Sequence, residues 1–168
     1  MWNDKASKKY DGAFEPTIID YIIAFFGFHI ALNGKTGRPD DRQAKENLAA
    51  WTGKDHELYI IQEDDMPIGF LHIGYRGGNV AWIEDVFVAE DYRGKGVGTQ
   101  AITEAEKIIR GKPGYTAVCM NVAPRNSSAL HLYRELGYDT LSIVTVRKEF
   151  EENPSDDMVD FLGHRFKI

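Results

Sequence analysis

The chain has 168 residues, 43% of them hydrophobic, and a net charge of −6 from 26 acidic and 20 basic residues. This length predicts one domain, and the ordinary composition argues against a disordered chain. The single cysteine, Cys119, excludes an intrachain disulfide and a cysteine-based zinc site. The acidic balance argues against broad binding to nucleic acid, which needs a basic face.

The start of the chain is polar and unlike a signal peptide. The longest apolar run, 18–32, is shorter than the stretch that spans a bilayer. We therefore expect a cytoplasmic protein that does not bind membranes. The sequence leaves a homodimer open.

Apolar spacing predicts two helices, at 16–33 and 39–51, after a first strand that is either short, near 10–14, or missing. From Glu57 onward the pattern changes to an antiparallel meander of three strands joined by short turns. Further along, the pattern predicts a helix, a strand, a second helix and one or two final strands. In chain order, the predicted elements after residue 57 are strands 58–62, 68–75 and 80–89, helix 99–110, strand 115–122, helix 127–136, and strands 138–150 and 163–168. This order predicts a mixed α/β fold with a central, mostly antiparallel twisted sheet flanked by helices.

A glycine-rich loop connects the third predicted strand to the next helix. Its members are Arg93, Gly94, Lys95, Gly96, Val97, Gly98 and Thr99. Glycines at the start of a helix expose backbone N–H groups that bind phosphate, and two basic side chains add positive charge. The spacing fits neither a Walker loop nor the dinucleotide fingerprint. The alternative is a glycine-rich connection with incidental charges.

The segment 83–98 resembles the acetyl-CoA-binding motif of the GNAT superfamily of N-acetyltransferases, with Arg93, Gly96 and Gly98 at the matching positions. A second segment, 121–138, resembles the next motif of that family, in which an asparagine begins a helix and a tyrosine follows seven residues later. Asn126 and Tyr133 occupy these two places. Together the two motifs imply a GNAT fold and acetyl-CoA as cosubstrate.

The resemblance also implies roles for individual residues. The backbone of Val86, Phe87 and Val88 would pair with the pantetheine arm, and the N–H of Val88 would polarise the thioester carbonyl. The N–H groups of the loop 93–99 would hold the pyrophosphate. Asn126 would bind the pantetheine, and Tyr133 would protonate the leaving thiolate. For Tyr133 the alternative is a residue that only packs its helix on the sheet.

Acetyl transfer to an amine also needs a base, because a lysine-like amine with a pKa of about 10.4 arrives protonated. Glu84 is the predicted base, acting through a water molecule. Strand alternation places Asp85 on the opposite face unless a bulge shifts the register, so the sequence leaves open which acid faces the cleft. The alternative is that both are solvent-exposed strand charges. No histidine has partners at metal-ligand spacing, so no metal is expected.

The whole chain, 1–168, is predicted to form one N-acetyltransferase domain. Residues 1–53 form the acceptor side, 57–150 the CoA-binding core, and 151–168 an acidic turn and a C-terminal strand. Six acids between Glu149 and Asp160 form this turn without any Lys or Arg. They suit a cationic small-molecule acceptor such as a polyamine or an aminoglycoside, or they form a solvated turn. The alternatives are acetylation of a protein lysine or N-terminus, transfer of a longer acyl group, and a non-catalytic acyl-CoA-binding module.

Overall fold

The computed structural model describes residues 5–150 and 157–168, apart from the side chains of residues 5 and 6. Seven strands, four α-helices and one short 3₁₀ helix at Glu90–Tyr92 follow one another in this part of the chain. The strands and α-helices are β1 (Lys5–Lys9), α1 (Glu15–Leu32), α2 (Asp41–Trp51), β2 (His56–Glu63), β3 (Met66–Gly74), β4 (Val80–Val88), α3 (Val97–Arg110), β5 (Ala117–Met120), α4 (Ser127–Glu135), β6 (Met158–Phe161) and β7 (His164–Lys167).

Five of the strands form one sheet in the order β1-β2-β3-β4-β5. The first three pairs are antiparallel, and only β4 and β5 run parallel. The predicted meander of β2, β3 and β4 is therefore confirmed, as is the mixed α/β class with helices beside a mostly antiparallel sheet.

The helices α1 and α2 cover one face of this sheet. Pro16 stands in the first turn of α1, where a missing N–H costs nothing. A capping box begins α2, with Asp40 accepting from the backbone of Gln43. Trp51 packs against Phe70 of β3 with ring centroids 5.3 Å apart. Both rings belong to a cluster of buried residues from α1, α2 and the sheet. This cluster forms the core on the side predicted to receive the acceptor.

The 18 residues of α1 are long and apolar enough to cross a membrane by length and composition alone. The helix is thus longer than the apolar run counted from the sequence. Its inner face is buried against the sheet at Ile18, Ile19, Ile22 and Phe25. Core helices of soluble proteins pass the same test of length and composition.

The helix α3 covers the opposite face. Its buried residues Ala101, Ile102, Ala105 and Ile109 repeat at helical spacing. They cluster with Leu71, Ile73, Ala81 and Ile83 of the two central strands. Because both faces are covered, β3 is buried from its second residue to its last. The sheet therefore holds β4 firmly along the edge that pairs with β3.

Gly69 allows an unusually close approach between β3 and β4. A Cβ atom built at this position would lie 2.1 Å from the backbone oxygen of Phe87. Any side chain here would therefore collide with the backbone of β4. Glycine at position 69 fixes the distance of β4 from the centre of the sheet.

The first strand lies earlier than expected. The predicted span was 10–14, whereas β1 covers Lys5–Lys9 and pairs with β2. Its sequence is Lys-Ala-Ser-Lys-Lys, which lacks apolar alternation. Edge strands often carry lysines, which discourage pairing with other chains, so the usual sequence signal is missing.

The predicted strand over 138–150 is wrong. Residues 139–150 adopt no regular strand. The apolar members of the alternation are exposed, including Leu141 at 76% and Phe150 at 95%. Alternation marks a segment suited to a sheet, but a strand also needs a partner edge, and this segment does not pair with β5.

The end of the chain forms a hairpin of its own. The sequence predicts a final strand at 163–168, and β7 within this range pairs with β6. Arg125 anchors the hairpin by donating to the backbone oxygen of Ile168 and by an ion pair of 2.9 Å with Asp157. Asp160, the last acid of the acidic stretch, lies within β6 and pairs with Arg165 of β7.

Candidate active site

The parallel pairing of β4 with β5 ends partway along β4, which creates the site. Pairing of β4 with β5 runs from Val80–Ala117 to Ile83–Met120. Beyond Ile83, β4 continues to Val88 and remains paired with β3 alone in the described part of the chain. The backbone of 84–88 thus presents an unpaired strand edge. Such an edge can accept an extended arm as an added strand.

The glycine-rich loop follows this strand and begins α3. Gly94 and Gly96 have φ values of 69° and 77°, and Gly96 is the N-cap of the helix without a side-chain cap. The N–H groups of the first helical turn have no intrahelical partner, so they can bind an anion. A Cβ atom at Gly94 would meet nothing within 4 Å. The loop therefore has donors and room for a phosphate group.

The basic side chains of the loop are held by aromatic rings. The Arg93 guanidinium lies 5.6 Å from the ring centre of Phe87, and its Nε donates to the Val88 oxygen at 2.8 Å. The Lys95 ammonium lies 5.6 Å from the ring centre of Tyr92. The Arg93 guanidinium also lies 6.0 Å from the ring centre of Phe28 on α1, so in this structure it lies toward the α1 side of the loop.

The second motif forms α4, as its spacing predicts. Asn126 is the N-cap, and its Oδ1 accepts from the Ala129 N–H at 3.2 Å. This hydrogen bond caps α4, so Asn126 has a structural role. A contact between Asn126 and pantetheine stays a prediction. Tyr133 lies two turns later, half-buried, with its ring 6.0 Å from that of Tyr138.

Burial, and then the negative charge of Asp85, raise the pKa of the Tyr133 hydroxyl above its usual value. At neutral pH this hydroxyl is therefore protonated. A protonated hydroxyl in a cleft is a proton donor, which is what a thiolate leaving group needs.

A bulge in β4 decides where the two acids point. His72 pairs with Asp85 while Ile73 pairs with Ile83, so Glu84 is the extra residue. Both acids consequently lie on the face covered by α1 and α2. Strand alternation alone would have separated them, and the sequence does not reveal the bulge.

The carboxylate of Glu84 is occupied by an ion pair. The Nε of Arg76 donates to Oε1 at 2.7 Å, and the Arg76 Nη2 donates to Oε2. Gly74 makes room for this pair, because a Cβ atom there would lie 2.3 Å from Oε1 of Glu84. The predicted base is therefore bound through both oxygens.

Asp85 has different partners. Its Oδ2 lies 2.8 Å from Nδ1 of His72, and Nε2 of His72 lies 2.9 Å from Nδ1 of His56. The spacing of these three residues in the sequence does not predict their contact. The available signal was one histidine within the otherwise buried apolar strand β3, since a buried polar side chain needs partners.

Cys119 and His131 lie on the two elements that follow α3. Cys119 is half-buried on β5, and His131 is exposed on α4, where it lies 3.3 Å from Glu135. Within 5–150 and 157–168, no group of three histidine, cysteine or acidic side chains is arranged to hold a metal ion. Of the six acids in the C-terminal stretch, 151, 152 and 156 lie outside the described residues.

Comparison with solved structures identifies the fold. An aminoglycoside acetyltransferase from an uncultured soil metagenomic sample, solved with sisomicin, is 17% identical with a TM-score of 0.64, covering 89% of this chain and 98% of its own. A GNAT family acetyltransferase from Elizabethkingia anophelis, solved with acetyl-CoA bound, is 17% identical with a TM-score of 0.64. That match covers 98% of this chain and 94% of the other.

Sequence comparison gives the family. An uncharacterized N-acetyltransferase of Methanocaldococcus jannaschii is 28% identical over 102 residues, which are 56% of this chain and 45% of that protein. The thialysine N-epsilon-acetyltransferase of Mus musculus is 33% identical over 73 residues, 44% of this chain and 42% of that protein. The matches thus span less than half the length of these curated relatives. Residues 24–138 match the acetyltransferase (GNAT) family, which covers most of the chain. The predicted family is confirmed: the chain belongs to the GNAT family of acetyltransferases.

Proposed function

We propose that this protein moves an acetyl group from acetyl-CoA to a primary amine by direct attack of the amine. One observation carries the proposal. The unpaired edge of β4 lies next to both other features, because Val86 packs in one cluster with Val97 at the uncapped start of α3 and in another with the half-buried Tyr133. An extended arm, a phosphate group and a leaving thiolate each have a suitable protein group there.

The residues that would hold acetyl-CoA follow from this arrangement. The backbone of 86–88 would pair with the pantetheine, and the N–H of Val88 would stabilise negative charge on the thioester oxygen. The N–H groups of 93–99 would bind the pyrophosphate, aided by Arg93 and Lys95. When bound, acetyl-CoA supplies the activated acetyl group. Two similar structures, solved with CoA and with acetyl-CoA, support acetyl-CoA as the cosubstrate.

Tyr133 is the proposed general acid. Its raised pKa keeps the hydroxyl protonated through the neutral range, so it can give a proton to sulfur. The base must take a proton from the acceptor, which arrives as an ammonium group. Glu84 was the prediction from sequence, but its ion pair with Arg76 makes Asp85 the better candidate.

For the acceptor we propose a cationic small molecule of the polyamine or aminoglycoside kind. The net charge of −6 and the two acids on the acceptor face of β4 would attract a cation. Two similar proteins are a thialysine N-epsilon-acetyltransferase and an aminoglycoside acetyltransferase. The molecules in these two names also carry amines. A protein lysine or N-terminus is the second candidate. A cytoplasmic location and a homodimer remain predictions.

An amine-panel assay that follows CoA thiol release tests this function. The panel contains polyamines, aminoglycosides, thialysine and a lysine-containing peptide, with acetyl-CoA and a longer acyl-CoA as donors. We expect thiol release that depends on one class of small amine and on the acetyl donor. Tight acyl-CoA binding without release by any amine would instead identify a non-catalytic binding module. Turnover of the peptide alone would favour the protein acceptor.

A further inference from the structure

Three side chains from neighbouring strands form a hydrogen-bonded row across the acceptor face of the sheet. His56 of β2 contacts His72 of β3 at 2.9 Å, and His72 contacts Asp85 of β4 at 2.8 Å. The register aligns His72 directly opposite Asp85. The row runs from the half-buried start of β2 to the point where β4 leaves β5.

His72 is the middle member and is only 3% exposed. Its ring stacks on Trp51 with centroids 4.7 Å apart and an angle of 23°. A buried polar ring is costly unless its nitrogen atoms have partners, and both nitrogens of His72 have one. The ring therefore has one orientation, fixed by stacking and by two hydrogen bonds.

The direction of these hydrogen bonds follows from the charge of Asp85. An ionised carboxylate only accepts, so Nδ1 of His72 carries the proton and donates to Oδ2. Nε2 of a neutral His72 then accepts from Nδ1–H of His56. In this assignment Asp85 binds His72 through Oδ2, and Oδ1 takes no part in the hydrogen bonds of the row. The Asp85 side chain is 19% exposed, so a bound acceptor can reach it.

Asp85 acts on groups from both walls of the cleft. Its charge helps to raise the pKa of Tyr133 on α4, after the larger effect of burial. At His29 on α1, burial lowers the pKa and the charge of Asp85 opposes that change. The charge of Asp85 also helps to raise the pKa of Arg76, after the larger effect of the ion pair with Glu84. Asp85 therefore stands between the α1 wall and the Tyr133 helix.

We propose that Asp85 takes the first proton from the acceptor ammonium, and that His72 and His56 are positioning residues that hold its carboxylate for this step. The inference rests on the proposed function and replaces Glu84 as the base. The proton moves from nitrogen to Oδ1, which yields a neutral carboxylic acid and a neutral amine, and no electrons are exchanged. Solvent later removes this proton from the partly exposed carboxyl group.

The amine then uses its lone pair to form the bond to the acetyl carbon, and the bond from carbon to sulfur breaks. The sulfur takes a proton from Tyr133, and the remaining ammonium proton on the product nitrogen restores the tyrosine. One proton per turnover thus reaches solvent by way of Asp85. Glu84 does not exchange protons in this scheme because both its oxygens bind Arg76.

Four variants test the row, with the best amine from the panel as acceptor. Asp85→Asn removes the proton acceptor and keeps its shape. His72→Phe keeps the ring stacked on Trp51 but removes the donor to Oδ2. His72→Asn restores a donor near the place of Nδ1. His131→Asn is the matched control, since His131 lies exposed on α4.

We expect Asp85→Asn to lower kcat by roughly 10²–10⁴-fold and to leave the KM for acetyl-CoA unchanged. His72→Phe should lower kcat roughly 10²-fold through misplacement of the carboxylate, and His72→Asn should recover most of that loss. An aminooxy acceptor of similar length is already neutral at neutral pH. With it, the defect of Asp85→Asn should largely disappear, a result that general structural damage would not produce.

Melting temperatures of all four variants show whether each one folds. If His72→Phe fails to fold, Asp85→Asn still tests the inference. Asp85→Asn within a few-fold of wild type would overturn the inference and leave the proposed function intact. The inference is also overturned if the defect is the same for the aminooxy acceptor. A wild-type protein that acetylates no amine would overturn both. Equal activity of His72→Phe and His72→Asn would remove the positioning role.

Discussion

The guanidinium of Arg76 binds both carboxylate oxygens of Glu84 and lies 4.3 Å from the ring centre of Trp82. Two hydrogen bonds and a stacked ring hold this pair at the edge of the acceptor face. A carboxylate engaged in this way is a poor proton acceptor, because protonation would break the charge-assisted bonds. We therefore expect Glu84→Gln to lower kcat by less than about tenfold. A loss as large as that of Asp85→Asn, measured in the same steady-state assay, would return the role of base to Glu84.

The glycine loop should control cofactor affinity. Gly98 lies in the first turn of α3, and a Cβ atom there would be 3.7 Å from Cδ2 of Leu132, an ordinary contact. The branched side chain of valine would crowd the N–H groups beside it. We expect Gly98→Val to abolish CoA binding measured by calorimetry. Gly27→Val is the control, since Gly27 lies in α1 with a nearest contact of 3.5 Å. If Gly98→Val binds CoA with unchanged affinity and a normal melting temperature, the loop assignment is wrong.

The hydroxyl of Tyr133 should matter for turnover and not for binding. Tyr133→Phe removes only that hydroxyl, so we expect kcat to fall by roughly 10²–10⁴-fold with little change in acetyl-CoA affinity. Tyr138→Phe is the matched control, because Tyr138 lies nearby and its hydroxyl donates to Glu106 at 3.0 Å. A kcat for Tyr133→Phe close to wild type would show that water protonates the thiolate.

Glu57 should make stability depend on pH. Burial alone would raise the pKa of this carboxyl, but hydrogen bonds from Lys9, Tyr75 and Lys112 outweigh it and lower the pKa to about 2. A lowered pKa in the folded state stabilises the protein above the ordinary value of 4.5, and this contribution disappears as pH falls from there toward 2. It amounts to at most about 3 kcal/mol, and less where the exposed Lys9 is screened by solvent.

Urea unfolding between neutral and acidic pH checks this contribution. We expect Glu57→Gln to lower the free energy of unfolding at neutral pH and to flatten its decrease under acid. Glu46→Gln is the control, because Glu46 forms an exposed pair with Arg42 at 3.3 Å that contributes little. An acid profile identical to wild type would mean that Glu57 does not stabilise the fold.

The C-terminal acids should affect a cationic acceptor through long-range attraction. Neutralising Glu151, Glu152, Asp156 and Asp157 together should raise the KM for a polyamine or aminoglycoside and flatten its salt dependence. The KM for acetyl-CoA should not change. Because Asp157 pairs with Arg125, a variant that keeps Asp157 separates loss of charge from loss of that anchor. An unaffected amine KM would identify the stretch as a solvated turn.

The sequence predicted the structure best where the spacing or type of nearby residues determines the local backbone. Helical spacing marked α1 and α3, and the glycines around Gly96 marked a backbone with positive φ at a helix start. It was least informative where pairing decides the outcome. The lysine-rich strand β1 lacks apolar alternation, and the apolar alternation of 139–150 does not find a partner strand. The bulge at Glu84 is set by the register between β3 and β4, which no local pattern encodes.

Gly69 links folding to catalysis in a way that matters for the protein's capacity to evolve. A side chain at this position would push on the Phe87 oxygen and move β4 outward. That strand carries both the proposed cofactor edge and Asp85, and Gly69 pairs directly with Val88, so a change at this buried position would alter two functions at once. Selection can vary the helices α1 and α2 to admit new acceptors, while position 69 tolerates no such variation.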